Sequence, residues 1–150
     1  MRIGIFGAPD SGKSSFADRL GGDPGVTLYR TDHYIELGWS VASQKVCDLL
    51  TADTGPLVVE GVAVPRALRK WLRANAEGRP LDALVYMATS FRQNDKGQAA
   101  MAKGMMTVFA EIAPELRARG VKLLRVVHGS RPGHAAATTG NRSENESTRR

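Results

Sequence analysis

The residues best equipped for chemistry stand near the start of the chain. Gly7-Ala8-Pro9-Asp10-Ser11-Gly12-Lys13-Ser14 is a full match to the pattern G-x-x-x-x-G-K-[ST]. An apolar run, Ile3 to Phe6, precedes it, and a short helical pattern, Lys13 to Leu20, follows. That strand–loop–helix setting is what gives the pattern meaning. Gly7 and Gly12 permit a tight loop whose backbone N–H groups converge on an anion. The helix that opens at Lys13 turns its positive end toward the same point. Lys13 supplies an ammonium for terminal phosphates, the Ser14 hydroxyl suits Mg²⁺, and Ser15 belongs to the same cradle. Asp10 is out of place in an anion-binding loop and is expected to face solvent, because a carboxylate aimed at phosphates opposes them. The bland alternative is a glycine-rich turn that matches by chance.

Two further carboxylates fall at the ends of apolar runs. Val26 to Tyr29 reads as a second strand and leads into Arg30-Thr31-Asp32-His33-Tyr34. Leu57-Val58-Val59 reads as a short buried third strand and ends at Glu60-Gly61. In open parallel sheets the carboxyl edge of the strands is where ligands bind, which makes Asp32 and Glu60 candidates. For Asp32 the competing role is a turn cap. For Glu60 it is a helix cap or an ion pair with Arg66 or Arg69. His33 reads as an exposed loop histidine.

These residues need a scaffold, and the pattern supplies one. Gly21-Gly22-Asp23-Pro24-Gly25 is a turn after the first helix. Trp39, Ala42, Val46, Leu49 and Leu50 share one face of a second helix over about Ser40 to Leu50. A third helix, Pro65 to about Ala76, sets Ala67, Leu68, Trp71 and Leu72 against Arg66, Arg69, Lys70 and Arg73. Leu84 to Met87 is a fourth strand. A polar segment, Thr89 to Gly97, carries Arg92 and Lys96. A long helix then follows, with Met101, Met105, Val108, Phe109, Ile112 and Leu116 on one face. Pro114 is expected to kink it and Gly120 to end it. Val121 to Val127 is a fifth strand. Strands alternating with helices imply an α/β fold with a parallel sheet covered on both faces.

Composition sets outer limits. A chain of 150 residues with 42% apolar content makes one domain with a real core, expected over 1–130. From about Arg131 the sequence is Gly, Ser, Thr, Asn and charge, and 131–150 is expected to be a disordered tail. No run approaches a membrane span and nothing at the start reads as a signal peptide, so a soluble, cytoplasmic protein is expected. The one cysteine, Cys47, excludes an internal disulfide and reads as a buried small hydrophobe. The histidines and cysteine have no zinc-type spacing, which leaves Mg²⁺ arriving with a nucleotide as the expected metal. A net charge of +6 favours anionic partners, nucleotides or nucleic acid.

On the Gly7–Ser14 loop, Asp32, Val58-Val59-Glu60-Gly61 and the basic Arg92–Lys96 segment, the chain resembles the P-loop kinases, nearest to those of nucleosides, nucleotides and small metabolites. It looks like a minimal member of the sort found in phage and prophage genomes. The resemblance covers about residues 1–130 and implies a three-layer α/β/α fold with five parallel strands in the order 2-3-1-4-5. It implies ATP and Mg²⁺ as cofactors. Asp32 then takes the place of the carboxylate that receives the proton of the attacking hydroxyl or helps hold Mg²⁺. Glu60 takes the place of the Walker B acid. Arg66 becomes a clamp for an anionic group of the acceptor, and Arg92 with Lys96 becomes a lid of roughly eight residues whose cations meet the transferring phosphoryl group. Gly129-Ser130-Arg131-Pro132 falls where relatives seat the adenine.

Three functions compete. The first is transfer of the ATP γ-phosphoryl group to a small-molecule acceptor. The second is an ATPase or nucleotide-gated binding module with no such acceptor. The third is a polynucleotide-directed kinase or nucleic-acid-binding ATPase, which the basic balance favours but no aromatic–basic stacking platform supports.

Overall fold

In the computed structural model, which describes residues 1–8, 11–88 and 96–127, five strands form one all-parallel sheet. They are β1 (Arg2–Gly7), β2 (Thr27–Arg30), β3 (Leu57–Glu60), β4 (Ala83–Met87) and β5 (Lys122–Val126). Their order is β2-β3-β1-β4-β5, as expected. Four α-helices alternate with them: α1 (Lys13–Leu20), α2 (Trp39–Ala52), α3 (Val64–Ala74) and α4 (Lys96–Ala118). A 3₁₀ helix, Thr31–Leu37, joins β2 to α2. The expected tail at 131–150, the segment around Arg92, Gly129–Pro132, and Pro9 with Asp10 lie outside the described residues.

The central strands explain their own position. All four residues of β3 are buried, as are Gly4, Ile5, Phe6 and Gly7 of β1. Such a run, apolar on both faces, fits a parallel strand covered above and below. Alternation then sends neighbours to opposite layers. Ile5 and Val58 join Ala17 of α1 on one side. Phe6 and Val59 join α2, α3 and α4 on the other, with Val46, Leu68, Met105 and Leu116 among the buried side chains. One face of the sheet therefore carries α1 and the opposite face carries three helices.

The larger layer is knit by aromatic contacts. Phe6 stacks on Tyr86 at 5.2 Å between ring centroids and meets Phe109 of α4 at 5.0 Å. The methionine-bearing face of α4 is core, as its spacing predicts, with Met105 buried. Cys47 is buried and free. The helix runs on past Pro114 to Ala118. Proline removes one N–H from the ladder, and the carbonyl it would have met, on Ala110, is in an exposed residue that water can serve. Lys96 belongs to the first turn of α4 and not to the polar segment before it. The basic and apolar sides of α3 are split as read from the sequence: Ala67, Leu68, Trp71 and Leu72 are buried. Among the described residues no helix is long and apolar enough to cross a membrane.

Phe6→Ala removes a fully buried ring from the junction of β1, β4 and α4. We expect a loss of about 3–5 kcal/mol in unfolding free energy, measured by urea denaturation.

Candidate functional site

The sheet order places the site. The chain passes from β1 to one side of the sheet for β2 and β3 and to the other for β4 and β5, so a crevice opens at the carboxyl end of β1. Gly7 ends β1 there. A Cβ on Gly7 would come 2.7 Å from both the Met87 carbonyl oxygen and Ser11 Oγ, so only glycine lets the loop leave the strand this closely. Gly12 caps α1 with φ of 90°, a left-handed conformation that favours glycine. No side chain caps α1. Its first-turn amides, on Lys13, Ser14 and Ser15, have no acceptors inside the helix.

Lys13 is the central group. Its side chain is 6% exposed, and its Nζ donates one long hydrogen bond, 3.4 Å, to the Ala8 carbonyl. Among the described residues it forms no ion pair. A buried ammonium normally has a counter-charge, and this one has a carbonyl oxygen. The Ser11 hydroxyl, in the same loop, is also buried and has no hydrogen-bond partner among the described residues.

Glu60 lies in register with both Ile5 of β1 and Arg30 of β2. Parallel register sends the Arg30 and Glu60 side chains to the same face, the one that carries α1. Arg30 Nη1 donates to Glu60 Oε2 at 3.3 Å, and its Nη2 pairs with Asp18 of α1. The Ser14 hydroxyl donates to the same Oε2 at 3.2 Å, while Oε1 is buried with no partner. The ion pair expected with Arg66 or Arg69 is not formed; Arg30 takes that place. Glu60 is 1% exposed, and burial pushes its carboxyl above the ordinary value. The charge of Asp32 adds to this, and Lys13, the Ser14 hydroxyl and Arg30 pull against it.

Asp32 sits in the first turn of the 3₁₀ helix. Gly61, at φ of 138°, passes beneath it: a Cβ there would overlap Thr31 Oγ1 and come 3.1 Å from Asp32 Oδ1. Gly61 thus lets the end of β3 and the end of β2 close on each other. Asp32 and Lys13 line one cavity of about 310 Å³, walled by Ile35, Trp39, Val62 and Met101. Arg66 lies on the far side of that wall, with its guanidinium 5.0 Å from the centre of the Trp39 ring.

The site therefore unites Lys13, Ser14, Glu60 and Asp32, with Arg66 beside them. Arg30, Thr31 and Trp39 are additions. Arg30 was readable only from strand register, since β2 runs one residue further than its apolar pattern. His33 is exposed. Among the described residues no three His, Cys, Asp or Glu side chains cluster closely enough to hold a metal. A metal here would rest on the Ser14 hydroxyl, a carboxylate and oxygens brought by a ligand. No family model matches the sequence, and no curated protein matches it.

The raised Glu60 carboxyl has a consequence for stability. The folded chain holds this proton more tightly than the unfolded chain, whose glutamate titrates near 4.5. Stability from this group is therefore lost as pH rises from the unfolded value through the folded one. Glu60→Gln should unfold at higher denaturant concentration than the parent at about pH 7, with the gap narrowing toward about pH 4.

Proposed function

We propose that the protein binds ATP with Mg²⁺ and transfers the γ-phosphoryl group to the hydroxyl of a small molecule. The observation that carries this reading is the buried Lys13 ammonium, which forms no ion pair among the described residues and lines a cavity shared with Asp32. An anion is the partner that geometry lacks, and a triphosphate supplies one at the helix end where amides also converge.

The donor set fits ATP and Mg²⁺ in kind. The uncapped first turn of α1 offers amides to the β- and γ-phosphates, and Lys13 neutralises their charge. Ser14 and Glu60, already joined at 3.2 Å, and the unpartnered Glu60 Oε1 offer the oxygens a hard cation takes. Mg²⁺ held there by Ser14 and Glu60 would supply charge neutralisation for the transferring phosphoryl group. Asp32, across the cavity, receives the proton of an acceptor hydroxyl and orients its oxygen for in-line attack. Ile35, Trp39, Val62 and Met101 offer the acceptor an apolar wall to lie along. Arg66 contributes to acceptor binding. The expected role of Arg92 on the transferring group lies outside the described residues.

Incubation with γ-labelled ATP, Mg²⁺ and a panel of hydroxyl-bearing metabolites should yield a labelled acceptor. Free phosphate with no labelled acceptor would instead favour the ATPase reading. Lys13→Ala should weaken ATP binding by at least about 100-fold, since it removes a charge-assisted contact from a buried site. Unchanged affinity in that variant contradicts the assignment. Asp32→Asn should lower kcat by about 10²–10⁴-fold with the KM for ATP nearly unchanged, because it removes a proton acceptor and no phosphate contact.

A further inference from the structure

A second cavity, of about 270 Å³, opens beside the first and shares Trp39 with it. Its floor is the polar side of α3, with Arg66, Arg69, Lys70 and Arg73, and its wall is the start of α2, with Ser40 and Ser43. A basic helix side is ordinarily a solvated surface, but three features set this one apart. Arg66, Arg69 and Lys70 are half-buried, not free in water. The four cations line one cavity, with Arg73 at its exposed edge. Their compensation is also thin. Glu111 of α4 pairs with Arg69 at 2.9 Å and with Arg73 at 3.7 Å, and it is the one carboxylate that pairs with any of them among the described residues.

That leaves Arg66 and Lys70 without an acid. Arg66 lies over the Trp39 ring, which holds its plane but supplies no acceptor for its five N–H groups. Lys70 donates one bond, 3.0 Å, to the Ser40 carbonyl, and an ammonium has three protons to give. Like charges gathered on one cavity repel one another, and an anion relieves that repulsion while accepting the spare donors. Four cations set against one carboxylate suit a dianion better than a monoanion. The volume suits a phosphoryl group and a few further atoms, not a folded or polymeric partner.

We propose that this cavity binds a phosphate monoester and is the anion-reading half of the acceptor site. The acceptor is then a small phosphomonoester. Its body lies along Trp39, Ile35, Val62 and Met101, and a free hydroxyl at its other end reaches Asp32. The anion half stands on the geometry of α2 and α3 alone; only the assignment of this ligand as phosphoryl acceptor rests on the kinase reading.

Phenyl phosphate is a suitable probe, with phenol, benzoate and inorganic phosphate as its parts and rivals. Binding is measured by calorimetry with and without a non-hydrolysable ATP analogue and Mg²⁺. Phenyl phosphate should bind at least about tenfold more tightly than phenol, benzoate or inorganic phosphate, because only it fills both the apolar wall and the cation cluster. Arg66→Gln with Lys70→Gln should weaken it by about 10–100-fold, and Arg66→Lys should restore part of the loss. Circular dichroism of each variant confirms the fold.

Equal affinity in the double variant overturns the proposal, and so does displacement of phenyl phosphate by the ATP analogue, which would seat the anion against Lys13 instead. Tighter binding of an oligonucleotide without a terminal phosphate also overturns it and marks an open surface for nucleic acid. If phenyl phosphate binds in an Arg66-dependent way while the ATP analogue does not bind, the cavity assignment is supported and the nucleotide reading fails. If the analogue binds and phenyl phosphate does not, the reverse holds.

Discussion

The arrangement of this protein depends on a positive charge kept out of water. Lys13 ends against a backbone carbonyl, in a loop closed by two glycines, at the head of a helix that itself carries positive partial charge. Burial and the positive helix end raise the energy of an ammonium without an anion, and the one long carbonyl contact offsets only part of that. The chain accepts that cost at the point where the sheet order reverses, and the surrounding elements hold it there. β1 delivers the loop, the Gly7 contact with the Met87 carbonyl fixes its exit, and α1 docks on Ile5 and Val58 through Ala17.

The acids around that charge are held by strand register more than by any local motif. Ile5, Glu60 and Arg30 stand level across β1, β3 and β2. Glu60 is buried because β3 is central, and it is tolerated there because Arg30 and Ser14 reach it from either side. Asp32 follows two residues after Arg30, lifted into the cavity by the 3₁₀ turn. Two carboxylates at similar height thus have different surroundings. Glu60 is enclosed and hydrogen-bonded, and Asp32 is open to the cleft. That difference suits one for holding and the other for exchanging a proton.

The order of elements, the parallel sheet and the two strand-end acids were legible because their signals are local. An apolar run followed by a glycine loop, or by a single acid, can be read within ten residues. The partners of those acids were not legible. Glu60 was read against Arg66 and Arg69, which are near it in sequence, whereas Arg30 reaches it across a strand pair formed 30 residues apart. The 3₁₀ helix over Thr31–Leu37 was missed because its polar residues carry no helical period. The importance of Trp39 was missed for a related reason. As one apolar position of α2 it reads as core, yet it is half-exposed between two cavities and carries Arg66 on its ring.

The Arg30 side chain bridges three segments of chain. One end of its guanidinium holds Asp18, in the last turn of α1, and the other holds Glu60 at the tip of β3, while its own backbone leads straight into the turn bearing Asp32. The helix that begins at Lys13 and the β2–β3 corner thus share one guanidinium. The Ser14 hydroxyl reaches the same Glu60 oxygen from the first turn of α1, so the helix is fastened to the tip of β3 at two points along its length. A shorter side chain at position 30 would leave Ser14 as the remaining polar link between α1 and Glu60.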